Sequence, residues 1–253
     1  MVRIMDQTQK EKSKNKPLKT AASMKQQKTD KYEVFLSLAR NNACAALTHL
    51  AKHCPVSAKL CANDVLLDNL MMVSREFETQ IHTRCVEILC HLTRFPANNA
   101  KLALNSEFCE TLIKCGKSKM AEDRMWAIRA LENLTADASS KITLATTPLL
   151  TLLTLSAMRK EYEEQFAAVG ALLNLATEPG AVVPITNTKN VVATLVHLAH
   201  SSISTREVRQ MACDALATVG LWLQTLAGAG TVPEGELSMP LPTHTPSGWL
   251  RWE

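Results

Sequence analysis

Residues 124–136 read RMWAIRALENLTA, and the core of that stretch, AIRALENLTA, returns in altered form along most of the chain. With Leu131 as the anchor, its counterparts are Leu47 in ACAALTHLA, Leu89 in CVEILCHLT, Leu172 in AVGALLNLAT and Leu216 in ACDALATVG. In chain order these anchors lie 42, 42, 41 and 44 residues apart. Spacing so regular marks an array of one structural unit, about forty residues long.

The residues around each anchor say what the unit is. Four positions before it stand Ala43, Cys85, Ala127, Ala168 and Ala212, and one position before it Ala46, Ile88, Ala130, Ala171 and Ala215. Three positions after it come Leu50, Leu92, Leu134, Leu175 and Val219. These offsets fall on one face of an α-helix, so each copy carries a buried stripe, with small residues where a neighbouring helix approaches. A lone copy cannot cover such a stripe, and the units must therefore stack. Between anchors, Leu60, Leu102, Ile142 and Ile185 recur in short apolar stretches, and Leu70, Leu112, Leu152 and Leu195 in longer ones. Each unit thus reads as a short helix, a middle helix and a long third helix.

The phrase ALxNLA at the end of the long helix, present as ALENLT and ALLNLA, resembles the signature of the armadillo-repeat family from about Tyr32 to Leu226. That resemblance implies an all-α fold: a right-handed α-solenoid, or armadillo-like superhelix, of about five three-helix repeats, the first incomplete. The two-helix HEAT repeat is the neighbouring label. Between the first and second helices, where the family often has Gly, this chain has Asn63, Asn105 or Thr147-Pro148. Asn tolerates a left-handed backbone, so the turn is expected to survive at the two asparagines. Pro55 and Pro96 follow their anchors closely and stop the long helix. Pro179-Gly180 opens the last unit, and Ser204 with Glu207 forms a capping-box pattern for its long helix.

Three segments follow from composition. Residues 1–31 hold eight lysines between Lys10 and Lys31 and almost nothing large and apolar, so a disordered tail is expected there. The cluster KEKSKNKPLK also suits a nuclear-localisation signal, a weak electrostatic tether to nucleic acid or anionic lipid, or a tail that only solubilises. Residues 32–226 form the repeat domain. Residues 227–253 are rich in Gly and Pro yet end in Trp249, Leu250 and Trp252, a strap that either caps the last unit or serves as a ligand for a partner. The formal net charge is +4, and without the lysine-rich tail it is near zero, which argues against a nucleic-acid-binding solenoid. No apolar run reaches the ~18 residues of a membrane span. Eight cysteines without a CxxC pair suit reduced thiols in the cytoplasm or nucleus.

Chemistry is sparse. His49, His53 and Cys54 have metal-compatible spacing but lack a third ligand, and no GxSxG, Walker-type loop or HExxH occurs. Neither an enzyme nor a cofactor is expected. Two positions after the anchor stand His49, His91, Asn133, Asn174 and Thr218, one hydrogen-bonding side chain per unit. Resemblance to armadillo proteins implies that this row is the asparagine ladder of a concave groove, holding the backbone of an extended peptide. Two positions before the anchor, Arg129 and Asp214 stand where nuclear-import receptors of the family carry Trp, so that particular role is not implied. Five positions before it, Trp126 is flanked by Arg84 and Arg129, residue types that anchor interfaces. Glu122, Glu163 and Glu207 align nine positions before it, as helix-dipole partners. The expected function is a protein-interaction scaffold binding a protein or peptide, with no small-molecule substrate. The alternatives are an adaptor or regulatory subunit of a larger enzyme complex, as in ubiquitin ligation or trafficking, and a lipid-tethered structural protein.

Overall fold

The computed structural model describes residues 21–76 and 80–228. The lysine-rich stretch up to residue 20 and the strap beyond residue 228, with Trp249 and Trp252, lie outside the described residues. All regular structure among the described residues is helical. The chain divides into a unit ending at Ala43 and a unit beginning at Cys44.

The first helix, α1, spans Ala21–Ala51. It begins within the stretch expected to be disordered. The residues that open it, AASMKQQK, are mostly strong helix formers, and helix propensity outweighs the lack of apolar surface there. In the first unit Tyr32, Val34, Phe35 and Leu38 are all exposed.

From Cys54 the order of short, middle and long helix occurs four times. The first set is α2 (Cys54–Ala62), α3 (Asp64–Ser74) and α4 (Gln80–Thr93). The second is α5 (Pro96–Leu104), α6 (Ser106–Cys115) and α7 (Ala121–Ala136). The third is α8 (Lys141–Leu144) after a 3-10 turn at Ala138–Ser140, then α9 (Thr147–Ala157) and α10 (Tyr162–Ala176). The fourth is α11 (Val182–Asn187) after a 3-10 turn at Pro179–Ala181, then α12 (Val191–His200) and α13 (Arg206–Ala227). Pro55 and Pro96 sit in the first turn of α2 and α5, where a missing N–H costs nothing.

The long helices pack in succession, α4 on α7, α7 on α10 and α10 on α13, and each also packs on its own middle helix. The stripe is buried as expected in four copies, from Cys85, Ile88, Leu89 and Leu92 to Ala212, Ala215 and Val219. Leu70, Leu112, Leu152 and Leu195 are buried in the middle helices.

The first copy departs from the pattern. Leu50 is exposed, as are Ala43 and Ala46, whereas Cys44, Thr48 and Ala51 are buried. The buried face is turned by one residue, about 100° of helix. Its anchor is thus Thr48, whose hydroxyl donates to the Cys44 carbonyl. Ile142 is also exposed, at 62 %, while Leu144 and Ala145 are buried. Leu144 stands 42 residues after Leu102 and 41 before Ile185, so it takes the inward position of this unit in place of Ile142.

The turns differ too. Asn63 and Asn105 are extended, with φ of −88° and −82°, and their side chains cap the next helix by accepting from the Leu66 and Phe108 amides. Capping satisfies an otherwise unpaired amide, which a left-handed turn would not do. Among the described residues the left-handed non-glycine position is Asn190, φ 69°, just before α12. The cap of α13 is Thr205, which accepts from the Val208 amide at 3.4 Å, one residue later than the Ser204 pattern implied. Ser204 is instead held by the loop before the helix, its amide donating to the Ser201 hydroxyl.

Candidate functional site

Neighbouring long helices are bonded at both ends. Near the N-termini, His82 of α4 faces Asp123 of α7, Nε2 to Oδ2 2.9 Å, and Arg124 of α7 faces Glu164 of α10, Nε to Oε2 3.0 Å. Near the C-termini, the Asn133 amide donates to the Thr93 hydroxyl at 3.0 Å, and the Asn174 amide to the Thr135 hydroxyl at 3.5 Å and the Glu132 carbonyl at 3.4 Å. Start pairs with start and end with end, so α4, α7 and α10 run parallel and in register.

The N-terminal pairs are buried. Asp123 accepts from the hydroxyls of Thr83, at 2.6 Å, and Ser118, at 2.8 Å, while Arg124 also donates to the Ser118 and Lys119 carbonyls. Glu164 receives a second guanidinium, Arg159, at 3.0 Å. Carboxylates this deep need such saturation, because desolvation otherwise outweighs the attraction. In the Ser118–Asp123–His82 cluster one carboxylate oxygen, Asp123 Oδ2, meets both the hydroxyl and the imidazole nitrogen.

These acids were not singled out from sequence. The exposed positions nine before the anchor, Glu122, Glu163 and Glu207, drew attention as a row, while the next position, Asp123 and Glu164, is the buried one. The available signal was a basic residue seven before one anchor with an acid eight before the next: His82 with Asp123, Arg124 with Glu164.

The residues expected to line a binding face are distributed unevenly. Asn133 and Asn174 are 8 % and 3 % exposed, and their amide groups tie one unit to the next instead of standing open to a peptide. His91 is also buried; its Nε2 lies 3.4 Å from the Glu87 carboxylate and its ring 5.6 Å from that of Trp126, tilted by 58°. Burial pushes the His91 imidazole pKa down, partly opposed by Glu87. Hydrogen bonding to His91 holds the Glu87 carboxyl below its usual range. Thr218 is buried, its hydroxyl donating to the Asp214 carbonyl, while half-buried Asp214 accepts from the Gln210 amide. His49 is exposed.

The open surface lies on the same face but toward the helix starts. Arg84 is exposed, Trp126 is half-buried against Val86 and Cys115, and Arg129 pairs with Glu163 at 2.8 Å. Between α10 and α13 opens a cleft of about 460 Å³, lined by Phe166, Arg206, Glu207, Gln210 and Met211. Tyr162 stacks near Phe166, with centroids 5.6 Å apart. Sequence comparison did not single out Phe166, which stands six positions before its anchor and one before the Trp126 row.

Among the described residues no group of three or more His, Cys, Asp or Glu side chains could hold a metal ion. Most of the cysteines are buried; desolvation pushes the Cys90 and Cys115 thiols up to about 12 and Cys109 up to about 11. No single helix among the described residues is long and apolar enough to cross a membrane.

No protein-family model matches the chain, and no curated protein matches it. Solved structures similar to it include two engineered proteins. One aligns over 70 % of this chain and 43 % of its own, at 20 % identity and a TM-score of 0.57. The other aligns over 74 % of this chain and 92 % of its own, at 15 % identity and a TM-score of 0.44. The chain thus spans less than half the length of the first, and that likeness speaks for the helical fold alone.

Proposed function

We propose that residues 32–226 form an armadillo-like right-handed α-solenoid that serves as a non-enzymatic interaction scaffold in the cytoplasm or nucleus. Its ligand is an extended segment of another protein, laid across the long helices. The observation that supports this most is the run of side chains across four successive long helices: exposed Arg84, half-buried Trp126, and the Phe166–Met211 cleft. Such a run offers a peptide a cation, an indole and an apolar recess, the types that dominate interface energetics.

The inward amides of Asn133 and Asn174 change the binding mode expected from the family resemblance. Recognition here rests on side chains near the helix starts more than on an amide ladder along the peptide backbone. Selection from a random linear-peptide library, followed by fluorescence anisotropy, tests the reading. Arg84→Ala and Phe166→Ala should each weaken a selected peptide by roughly tenfold, the order seen when an interface anchor is truncated. Recovery of no peptide, or of peptides indifferent to both changes, would count against the scaffold.

A further inference from the structure

The parallel order of the long helices puts the loops that enter them on one edge of the second unit. Three are described: Gly116–Met120 before α7, Met158–Glu161 before α10, and Ser201–Thr205 before α13. The cleft extends the parallel order to α13, because it joins Phe166, early in α10, to Arg206–Met211, the start of α13.

Each loop is held by the residue seven positions before the anchor. Arg124 donates to the Ser118 and Lys119 carbonyls, Gln165 to those of Ala157 and Arg159, and Arg209 to those of Ser201 and Ser204. Every loop so held presents one large apolar side chain to solvent: Met120 at 60 %, Met158 at 49 % and Ile203 at 96 %. One such residue would mean nothing. Three on successive loops of the same edge, each loop pinned by its own helix, form a row, although they stand at different places in it: Met120 immediately before α7, Met158 immediately after α9 and Ile203 in mid-loop.

The charge beside the row is positive. Lys117, Lys119, Lys160 and Arg206 are exposed there. Of the acids on the edge, Glu161 pairs with Arg124 and Glu163 with Arg129, leaving Glu122 and Glu207 toward solvent. Pinned apolar tips between exposed cations match an anionic bilayer surface, where side chains enter the headgroup boundary and lysine or arginine meets lipid phosphate and carboxylate. A nucleic acid would use the cations but gains little from methionine and isoleucine tips.

We infer that this loop edge is a peripheral docking surface for anionic membranes, with Met120, Met158 and Ile203 as its inserting residues. It is separate from the peptide reading, since none of these three lines the cleft. The test is co-sedimentation of the full chain with phosphatidylcholine vesicles, with and without phosphatidylserine. Wild type should partition onto the phosphatidylserine vesicles, and Met120→Ser/Met158→Ser/Ile203→Ser should lose roughly tenfold of that partitioning. Val183→Ser, which removes an exposed apolar residue of α11, should lose none, and thermal melts should show both variants folded. Equal partitioning of the triple variant and wild type would overturn the inference, because the lysine-rich segment would then account for the attraction. So would no partitioning of wild type, or binding to a DNA duplex in preference to vesicles that survives the triple substitution.

Discussion

Glu164 and Glu163 are adjacent acids with opposite consequences. Glu164 is fully buried between Arg124 and Arg159, whereas Glu163 pairs with Arg129 at the surface. Glu164→Gln leaves two guanidinium groups with a weaker acceptor and should cost about 3 to 5 kcal/mol in urea unfolding. Glu163→Gln should cost no more than about 1 kcal/mol. Asn133→Ala removes the amide's bond to the Thr93 hydroxyl, which keeps its own bond to the Cys90 carbonyl, and should cost about 0.5 to 1.5 kcal/mol, a loss that an asparagine merely facing solvent would not produce. His91 brings a pH dependence. Its folded pKa lies below the ordinary 6.5, so on acidification the unfolded chain takes up the proton first. Its contribution is complete above pH 6.5 and is lost as pH falls below that value. The urea midpoint should therefore drop on acidification below pH 6.5, and His91→Phe should lessen the drop.

At the scale of the helix, the stripe was readable because a buried face repeats with the helical period, and four copies follow it closely. The first copy and α8 were misread for a common reason. Leu47 and Ile142 match the apolar pattern by residue type, but the inward side is set by register against neighbouring elements, which buries Thr48 and Leu144 there instead. Asn133 and Asn174 were recognised as a row, yet their direction was not, because an amide suits a peptide ligand and a neighbouring threonine equally well. The buried acids escaped because charge in a helix's first turn already has an explanation in the dipole. Two substitutions probe these elements. Ala127→Leu forces side-chain volume into a site with no exposure and should cost about 1 to 3 kcal/mol. Thr205→Ala removes the cap of α13 and should cost about 1 kcal/mol, with Ser204→Ala having the smaller effect; thermal denaturation separates the two.

Across the whole molecule, bonds between neighbouring units make the second unit a succession of nearest-neighbour interfaces. Bonds join neighbouring long helices at both ends, and on the face nearer the helix starts, beside the buried His82–Asp123 and Arg124–Glu164 pairs, Arg84, Trp126 and the Phe166 cleft reach the surface. Leu221, Leu223 and Leu226 at the end of α13 are exposed among the described residues. The expectation that the Trp-containing strap covers this end concerns residues outside them. In the proposed function a partner's extended segment lies across the starts of the long helices. Site-specific photocrosslinking tests it most directly. A photoreactive residue is placed at Arg84, Glu122 or Gln210, on the long-helix face, and as controls at Val65 or Leu104, exposed on α3 and α5. A library-selected peptide should crosslink from all three face positions and from neither control, with different peptide residues captured by α4, α7 and α13. Crosslinking from Val65 or Leu104 with none from the long-helix face would contradict it.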